Sequence, residues 1–176
     1  MATNLELAGQ VSRNVELDAV SLRYAKVEAG CEPGELPEEV AVDIQYRTSI
    51  NRRHRKGDPS APELAVTVEF KFHVQGKGEE APDEILSLEA SYLLTYSLNP
   101  AATIEESCFG HFAEVNGPYN AWPYWRELVQ SVTGRVGLPG FVVPVFRPTA
   151  IKVLTASDTQ DSESSDTPVR GLLTDA

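Results

Sequence analysis

From Val40 onward, two kinds of side chain alternate. Val40, Val42, Ile44, Tyr46, Thr48 and Ile50 share one phase, while Asp43, Gln45, Arg47 and Ser49 hold the other. Successive side chains of an extended chain point to opposite faces, so this period predicts a half-buried strand. Leu64, Val66, Val68, Phe70, Phe72 and Val74 repeat the pattern against Ala65, Thr67, Glu69, Lys71 and His73. Leu86, Leu88, Ala90, Tyr92, Leu94, Tyr96 and Leu98 do so against Ser87, Glu89, Ser91, Leu93, Thr95 and Ser97. The earlier run from Val15 to Val27 changes phase, with Val15 and Leu17 followed by Val20, Leu22 and Tyr24. That change predicts a strand with a bulge near Asp18-Ala19. Four amphipathic strands joined by connectors such as Gly76-Lys77-Gly78 predict an antiparallel sheet with one apolar and one wet face.

Farther on the period lengthens to that of a helix. Thr103-Ile104-Glu105-Glu106 has the form of a capping box, in which the hydroxyl and a carboxylate each take an orphan amide. Ile104, Cys108, Phe112 and Val115 follow as one stripe, and Asn116-Gly117 reads as the helix end. A second helix opens within Asn120–Glu127, with Pro123 in its first turn. It carries Tyr124, Leu128, Val132 and Val136, and stops at Gly137-Leu138-Pro139. The expected class is α+β, a four-stranded antiparallel sheet followed by two helices packed on its apolar face. The expected organisation is an N-terminal extension over 1–12, a folded domain over 13–154 and a flexible acidic tail over 155–176. Ser157–Asp166 is almost wholly polar, and such a composition cannot offset the entropy of ordering.

Among 176 residues there are 26 acidic and 15 basic side chains, a net charge of -11. Such a charge repels nucleic acid before any specific contact forms, so no nucleic-acid partner is expected. Cys31 and Cys108 are too few for a disulfide framework, which suits a reducing compartment. The N-terminal residues lack a secretory pattern and no window suggests a membrane span, so a cytoplasmic protein without membrane insertion is expected. His54, His73 and His111 have no zinc-ligand spacing, and no glycine run has a phosphate-cradling pattern. No metal, cofactor or nucleotide is expected. Cys108 and His111 stand one helical turn apart, but no neighbour orients the imidazole. They read as a buried thiol and an exposed ring, and no catalytic residue is assigned. Arg52-Arg53-His54-Arg55-Lys56 reads as a solvated connector after the second strand.

Tyr119, Trp122, Tyr124 and Trp125 are too many large rings for one narrow stripe. Trp122 and Tyr124 are divided between core and groove, while Tyr119 and Trp125 are expected at the surface. The order of Asn120, an aromatic-Pro-Tyr-x-Arg-Glu opening, the Gly137-Leu138-Pro139 break and Val142-Val143-Pro144-Val145-Phe146 resembles the C-terminal half of the SecB export-chaperone family. With the four strands before it, the resemblance spans Val15 to Phe146. It is most specific at Pro123-Tyr124 and Arg126-Glu127.

This resemblance implies a non-enzymatic, ATP-independent chaperone that holds unfolded or partly folded polypeptides in apolar grooves between sheet and helix, in the service of protein export. It implies a homotetramer, built as a dimer of dimers. The groove would draw on Tyr46, Phe70, Phe72, Tyr92, Tyr119, Trp122, Trp125 and Leu128. The SecA motor docks on outer carboxylates in SecB, and Glu89 matches one of them, with Asp18 offset by one position from another. Arg23 stands where a further acid is expected, and Ala29–Glu39 lacks the aromatic residue of the family's crossover loop. These departures favour a dedicated chaperone of one partner, as in toxin–antitoxin systems with SecB-like members. A structural assembly subunit and a small-molecule carrier are the readings from other classes.

Overall fold

The computed structural model describes residues 3–32, 35–37, 39–78, 82–138, 141–146 and 152–153. In chain order its elements are α1 (Asn4–Ser12), β1 (Val15–Ala29), β2 (Val40–Arg55), β3 (Asp58–Gly76), β4 (Leu86–Leu98), α2 (Glu106–Arg135) and β5 (Lys152–Val153). The fold is α+β, with the four long strands forming an antiparallel sheet accompanied by two helices. Strand order is β1-β4-β3-β2-β5. β5 adds two residues in parallel to the outer side of β2, with Gln45 opposite Lys152 and Tyr46 opposite Val153.

The chain forms two compact units. One comprises Met1–Tyr24, Arg47–Glu69 and Ser91–Trp122, the other Ala25–Tyr46, Phe70–Ala90 and Pro123–Ala176. In the first, Leu64, Val66, Val68, Leu94 and Tyr96 are buried from the strands. In the second, Phe70, Phe72, Val74, Leu86, Leu88 and Ala90 are. The alternation of β3 and β4 thus appears directly as burial, because one face of each strand leaves water and the other does not.

The two helices are not the two expected after the sheet. Residues 106–135 form one helix of 30 residues, α2, which runs through both the supposed end at Asn116-Gly117 and the supposed start at Asn120. Gly117 is a packing position: a Cβ there would lie 2.9 Å from Val66 Cγ1 and 3.2 Å from Val68 Cγ2. Its missing side chain lets the helix approach the sheet closely. Pro118 and Pro123 therefore sit in the helix interior, where each removes a backbone donor. Packing of one long buried stripe holds the turn geometry against that loss. The stripe runs through Cys108, Phe112, Ala121, Trp122, Trp125, Val129 and Thr133. Cys108 to Thr133 corresponds to about seven turns of ~3.6 residues, so one uninterrupted helical phase explains it.

The other helix, α1, lies within the stretch expected to be an N-terminal extension. Thr3 is its N-cap, and Thr3 with Glu6 makes the capping box that was expected at Thr103. The Thr3 amide donates to Glu6 Oε2 at 2.7 Å, and the Glu6 amide donates to Thr3 Oγ1 at 3.3 Å. The Thr3 amide and the Thr3 hydroxyl, both donating to Glu6 Oε2, hold the Glu6 carboxyl below its ordinary pKa. Thr103 lies outside α2, which begins at Glu106. Within the first unit, Asn116 Nδ2 donates to Ser12 Oγ at 2.9 Å, and Val11 of α1 is fully buried.

The basic run is likewise not a connector. β2 continues to Arg55, and Lys56-Gly57 is a two-residue turn with Gly57 at φ 89°, a left-handed backbone that suits glycine. Charge pairing keeps these polar strand ends together. Arg53 meets Glu63 at 2.6 Å, and Arg55 meets Asp18 at 2.6 Å. β1 runs unbroken from Val15 to Ala29, and its half-buried positions, Val15 and Val20, keep the phase change seen in the sequence.

Candidate functional site

In the second unit, aromatic rings from strand, helix and a segment without regular secondary structure meet. Phe70 of β3 stacks on Trp125 of α2 with centroids 4.9 Å apart and planes 9° from parallel. Tyr46 of β2 lies 6.2 Å from Phe70 in a tilted arrangement. Phe146 then packs edge-on against Tyr46 at 5.8 Å, and Phe141 against Phe72 at 5.3 Å. Offset stacks and edge contacts of this kind suit the ring quadrupoles and add to simple burial. Tyr46, Phe70, Phe72 and Trp125 are all buried, and Leu128 is half-buried. The sequence motif included Phe146 but not Phe141, and the role of both as ring partners needed the tertiary contacts.

In the first unit, Tyr92 and Trp122 are buried and Tyr119 is 64% exposed. Tyr96, which the sequence placed on the apolar face, packs edge-on against Phe112 at 5.1 Å and accepts a hydrogen bond from Asn120 Nδ2 at 3.0 Å. Burial pushes the Tyr96 hydroxyl up from 10.0 to about 12, opposed by that hydrogen bond. Asn120, the first residue of the opening motif, thus serves to satisfy a buried phenol.

Two ring assignments are reversed. Trp125, expected at the surface, is fully buried, and Tyr124, divided between core and groove, is 49% exposed. The cause is helical phase. A helix starting near Pro123 was given the stripe Tyr124, Leu128, Val132, Val136, whereas α2 inherits its phase from Cys108 and buries the neighbouring stripe through Trp125 and Val129. Trp125 Nε1 is buried and has no hydrogen-bond partner among the described residues.

The two candidate docking carboxylates are each engaged by a cation. Asp18 Oδ2 accepts from Arg55 at 2.6 Å, and its Oδ1 accepts from Ser97 Oγ at 3.2 Å. Glu89 meets Lys71 Nζ at 2.9 Å, and the hydrogen bond from Lys71 holds its carboxyl below the ordinary value. Arg47 also pairs with Glu69, and Arg52 pairs with Glu106 at 2.7 Å while lying over the Phe109 ring. Cys108 is buried, with its thiol 3.6 Å from Gln10 Oε1, and His111 Nδ1 lies 3.9 Å from Glu114. Among the described residues no group of three or more His, Cys, Asp or Glu could hold a metal ion, and no helix is long and apolar enough to cross a membrane.

β1 borders the sheet and is exposed along most of its length. Leu17, Leu22, Tyr24 and Val27 are its exposed large apolar side chains.

No family model matches this sequence, and no curated protein matches it. Solved structures do resemble it. One is the Rv1957 SecB-like chaperone of Mycobacterium tuberculosis, in complex with a ChAD peptide from the Rv1956 HigA1 antitoxin. Its identity is 15% and its TM-score 0.63, over 81% of this chain and 99% of that one. A protein of unknown function from Streptococcus agalactiae is similar at 14% identity and a TM-score of 0.46, over 74% of this chain and 96% of that one. Strands, helices and their order thus give this chain the SecB-like fold, at a sequence identity that makes it a divergent example.

Proposed function

We propose that this chain is an ATP-independent holding chaperone of the cytoplasm, which keeps unfolded or partly folded polypeptides in apolar grooves bordered by sheet and helix. The observation that carries this reading is the aromatic surface of the second unit. There Tyr46 and Phe72 of the sheet receive Phe146 and Phe141 from a segment without helix or strand. A surface that accommodates aromatic side chains from an irregular segment suits clients of varied sequence. The net charge of -11 keeps such a particle soluble.

The expected result is suppression of aggregation of a chemically unfolded model protein at stoichiometric ratio, with no nucleotide present. Unchanged aggregation at tenfold excess would refute it.

Between general export and one dedicated client, pairing of Asp18 with Arg55 and of Glu89 with Lys71 favours the dedicated client. Carboxylates already bound by cations on their own sheet are weaker anchors for a second protein. The SecB-like protein of Mycobacterium tuberculosis, solved with an antitoxin peptide, is a precedent for an antitoxin as a partner. Affinity purification from the native host separates the two: one stoichiometric partner supports dedication, a broad spread of precursors supports export.

The assembly is a homo-oligomer, with a dimer of dimers as its endpoint. A long edge strand with exposed apolar residues is a template for pairing with another chain, and β1 has this character. Leu22→Lys places a charge on that edge and is expected to lower the solution mass. An unchanged mass would assign assembly elsewhere.

A further inference from the structure

Within the first unit, Cys108, Phe112 and Asn116 follow one another at a spacing of four and form a row along α2. α1, in the same unit, touches both ends of that row. Gln10 Oε1 lies 3.6 Å from the Cys108 thiol, and Ser12 Oγ accepts from Asn116 Nδ2 at 2.9 Å. Cys108 and Phe112 are buried, as are Ala8 and Val11 of α1. The attachment is slight. Two small apolar side chains supply the buried part of α1, while Leu5 is 71% exposed. A helix of 9 residues is marginal by itself, and Gly9 at its centre weakens it further. Packing does not require glycine there: among the described residues a Cβ would meet only Arg13 Nη1, at 3.9 Å. Gly117 is the opposite case, since the sheet excludes a side chain from it. Beyond the helix, the Asn99 amide donates to the Asn14 carbonyl at 2.9 Å and fixes the approach to β1. α1 lies outside that fixed point.

We propose that α1 is a detachable cover that swings out about Arg13, and that the row Cys108, Phe112 and Asn116 it uncovers takes an apolar, helix-forming segment of an unfolded polypeptide. This inference rests on the chaperone reading for the identity of the occupant, but not for the opening of α1. The occupant's chemistry is read from α1 itself. Ala8 and Val11 place apolar side chains three positions apart, and Gln10 and Ser12 meet the polar groups at the ends of the row. A helix laid in a groove is recognised by such a spacing of anchors. A client segment with larger apolar side chains at the same spacing buries more area than Ala8 and Val11 do, and so replaces α1. In the absence of client the cover keeps Phe112 from water. A glycine that packing does not need keeps the cover easy to remove.

The test uses the full chain, with alkylation of Cys108 by iodoacetamide under native conditions read by peptide mass spectrometry. Modification is expected at least about a hundredfold faster than global unfolding, measured in urea, allows, because α1 opens alone. Gly9→Ala strengthens α1 without a clash and should slow the modification about fourfold, with circular dichroism unchanged. Modification through global unfolding alone, or an unchanged rate in Gly9→Ala, overturns the cover. The probe for the occupant is reduced, carboxymethylated α-lactalbumin, a permanently unfolded chain. At saturation, amide exchange in α1 should rise at least about tenfold while alkylation of Cys108 falls. Bound probe with unchanged exchange in α1 overturns the proposal and leaves the chaperone reading intact. If the probe binds nowhere, the chaperone reading falls and takes the client assignment with it, while alkylation still decides whether α1 opens. Alkylation that slows as protein concentration rises assigns the row to a second copy of this chain and overturns the client assignment.

Discussion

Trp125 lies face to face with Phe70, their centroids 4.9 Å apart and their planes within 9° of parallel. The pair joins the long helix to the third strand inside the second unit, and both residues are buried. Trp125→Ala is expected to destabilise the protein by about 3–5 kcal/mol, through lost burial and the cavity left behind. Trp125→Phe should cost well under half of that, because it keeps a ring against Phe70 and removes an indole N–H with no partner among the described residues. Urea midpoints at unchanged slope check both values.

Gly117 is the second sensitive position on α2. In an exposed helix, alanine would be favoured over glycine by up to ~1 kcal/mol. Here the added methyl would meet Val66 Cγ1 at 2.9 Å and Val68 Cγ2 at 3.2 Å, inside a packed strand face. Overpacking of this kind costs about 1–3 kcal/mol. Gly117→Ala is therefore expected to lower stability, and a raised denaturation midpoint would contradict the packing role assigned to this glycine.

Tyr96 predicts behaviour at alkaline pH. Its folded pKa of about 12 lies above the ordinary 10.0, because burial disfavours the phenolate. The resulting stability is fully present below about pH 10 and is lost as pH rises through the folded value. Two pH units correspond to about 2.7 kcal/mol. Tyr96→Phe should flatten the fall in stability between pH 10 and 12, read by chemical denaturation at stepped pH. An unaltered slope would refute the linkage.

The pair Asp18–Arg55 calls for a smaller number. Both side chains are partly open to water, so Asp18→Asn is expected to cost less than about 1 kcal/mol, with the difference shrinking in molar salt. If this pair keeps Asp18 from acting as a docking carboxylate, Arg55→Ala should increase binding of a basic protein without altering fold. Calorimetric stability and ion-strength-dependent binding measure the two effects separately.

Alternation in β3 and β4 was legible in the sequence, since a period of two is a local property: every position from Leu64 to Val74 expected to be buried is buried, and Ala65 joins them from the other face. The α+β class also followed from the sequence alone. Helix boundaries did not. Glycine and proline mark ends in isolation, yet Gly117 sits inside a helix because Val66 and Val68, some fifty residues away, require its lack of side chain. The capping box at Thr3 and Glu6 was written as clearly as the one at Thr103, and only packing of Val11 and Ser12 made the first the operative one. In the same way, the sequence determined that large rings would cluster around Trp122 and Trp125. Whether Tyr124 or Trp125 turned inward was decided by the phase that α2 inherits from Cys108, and what fills the space over Tyr46 and Phe72 was decided by the return of Phe141 and Phe146. Period is written in neighbouring residues, whereas phase, edge pairing and the partner of a ring depend on residues that only the folded chain brings together.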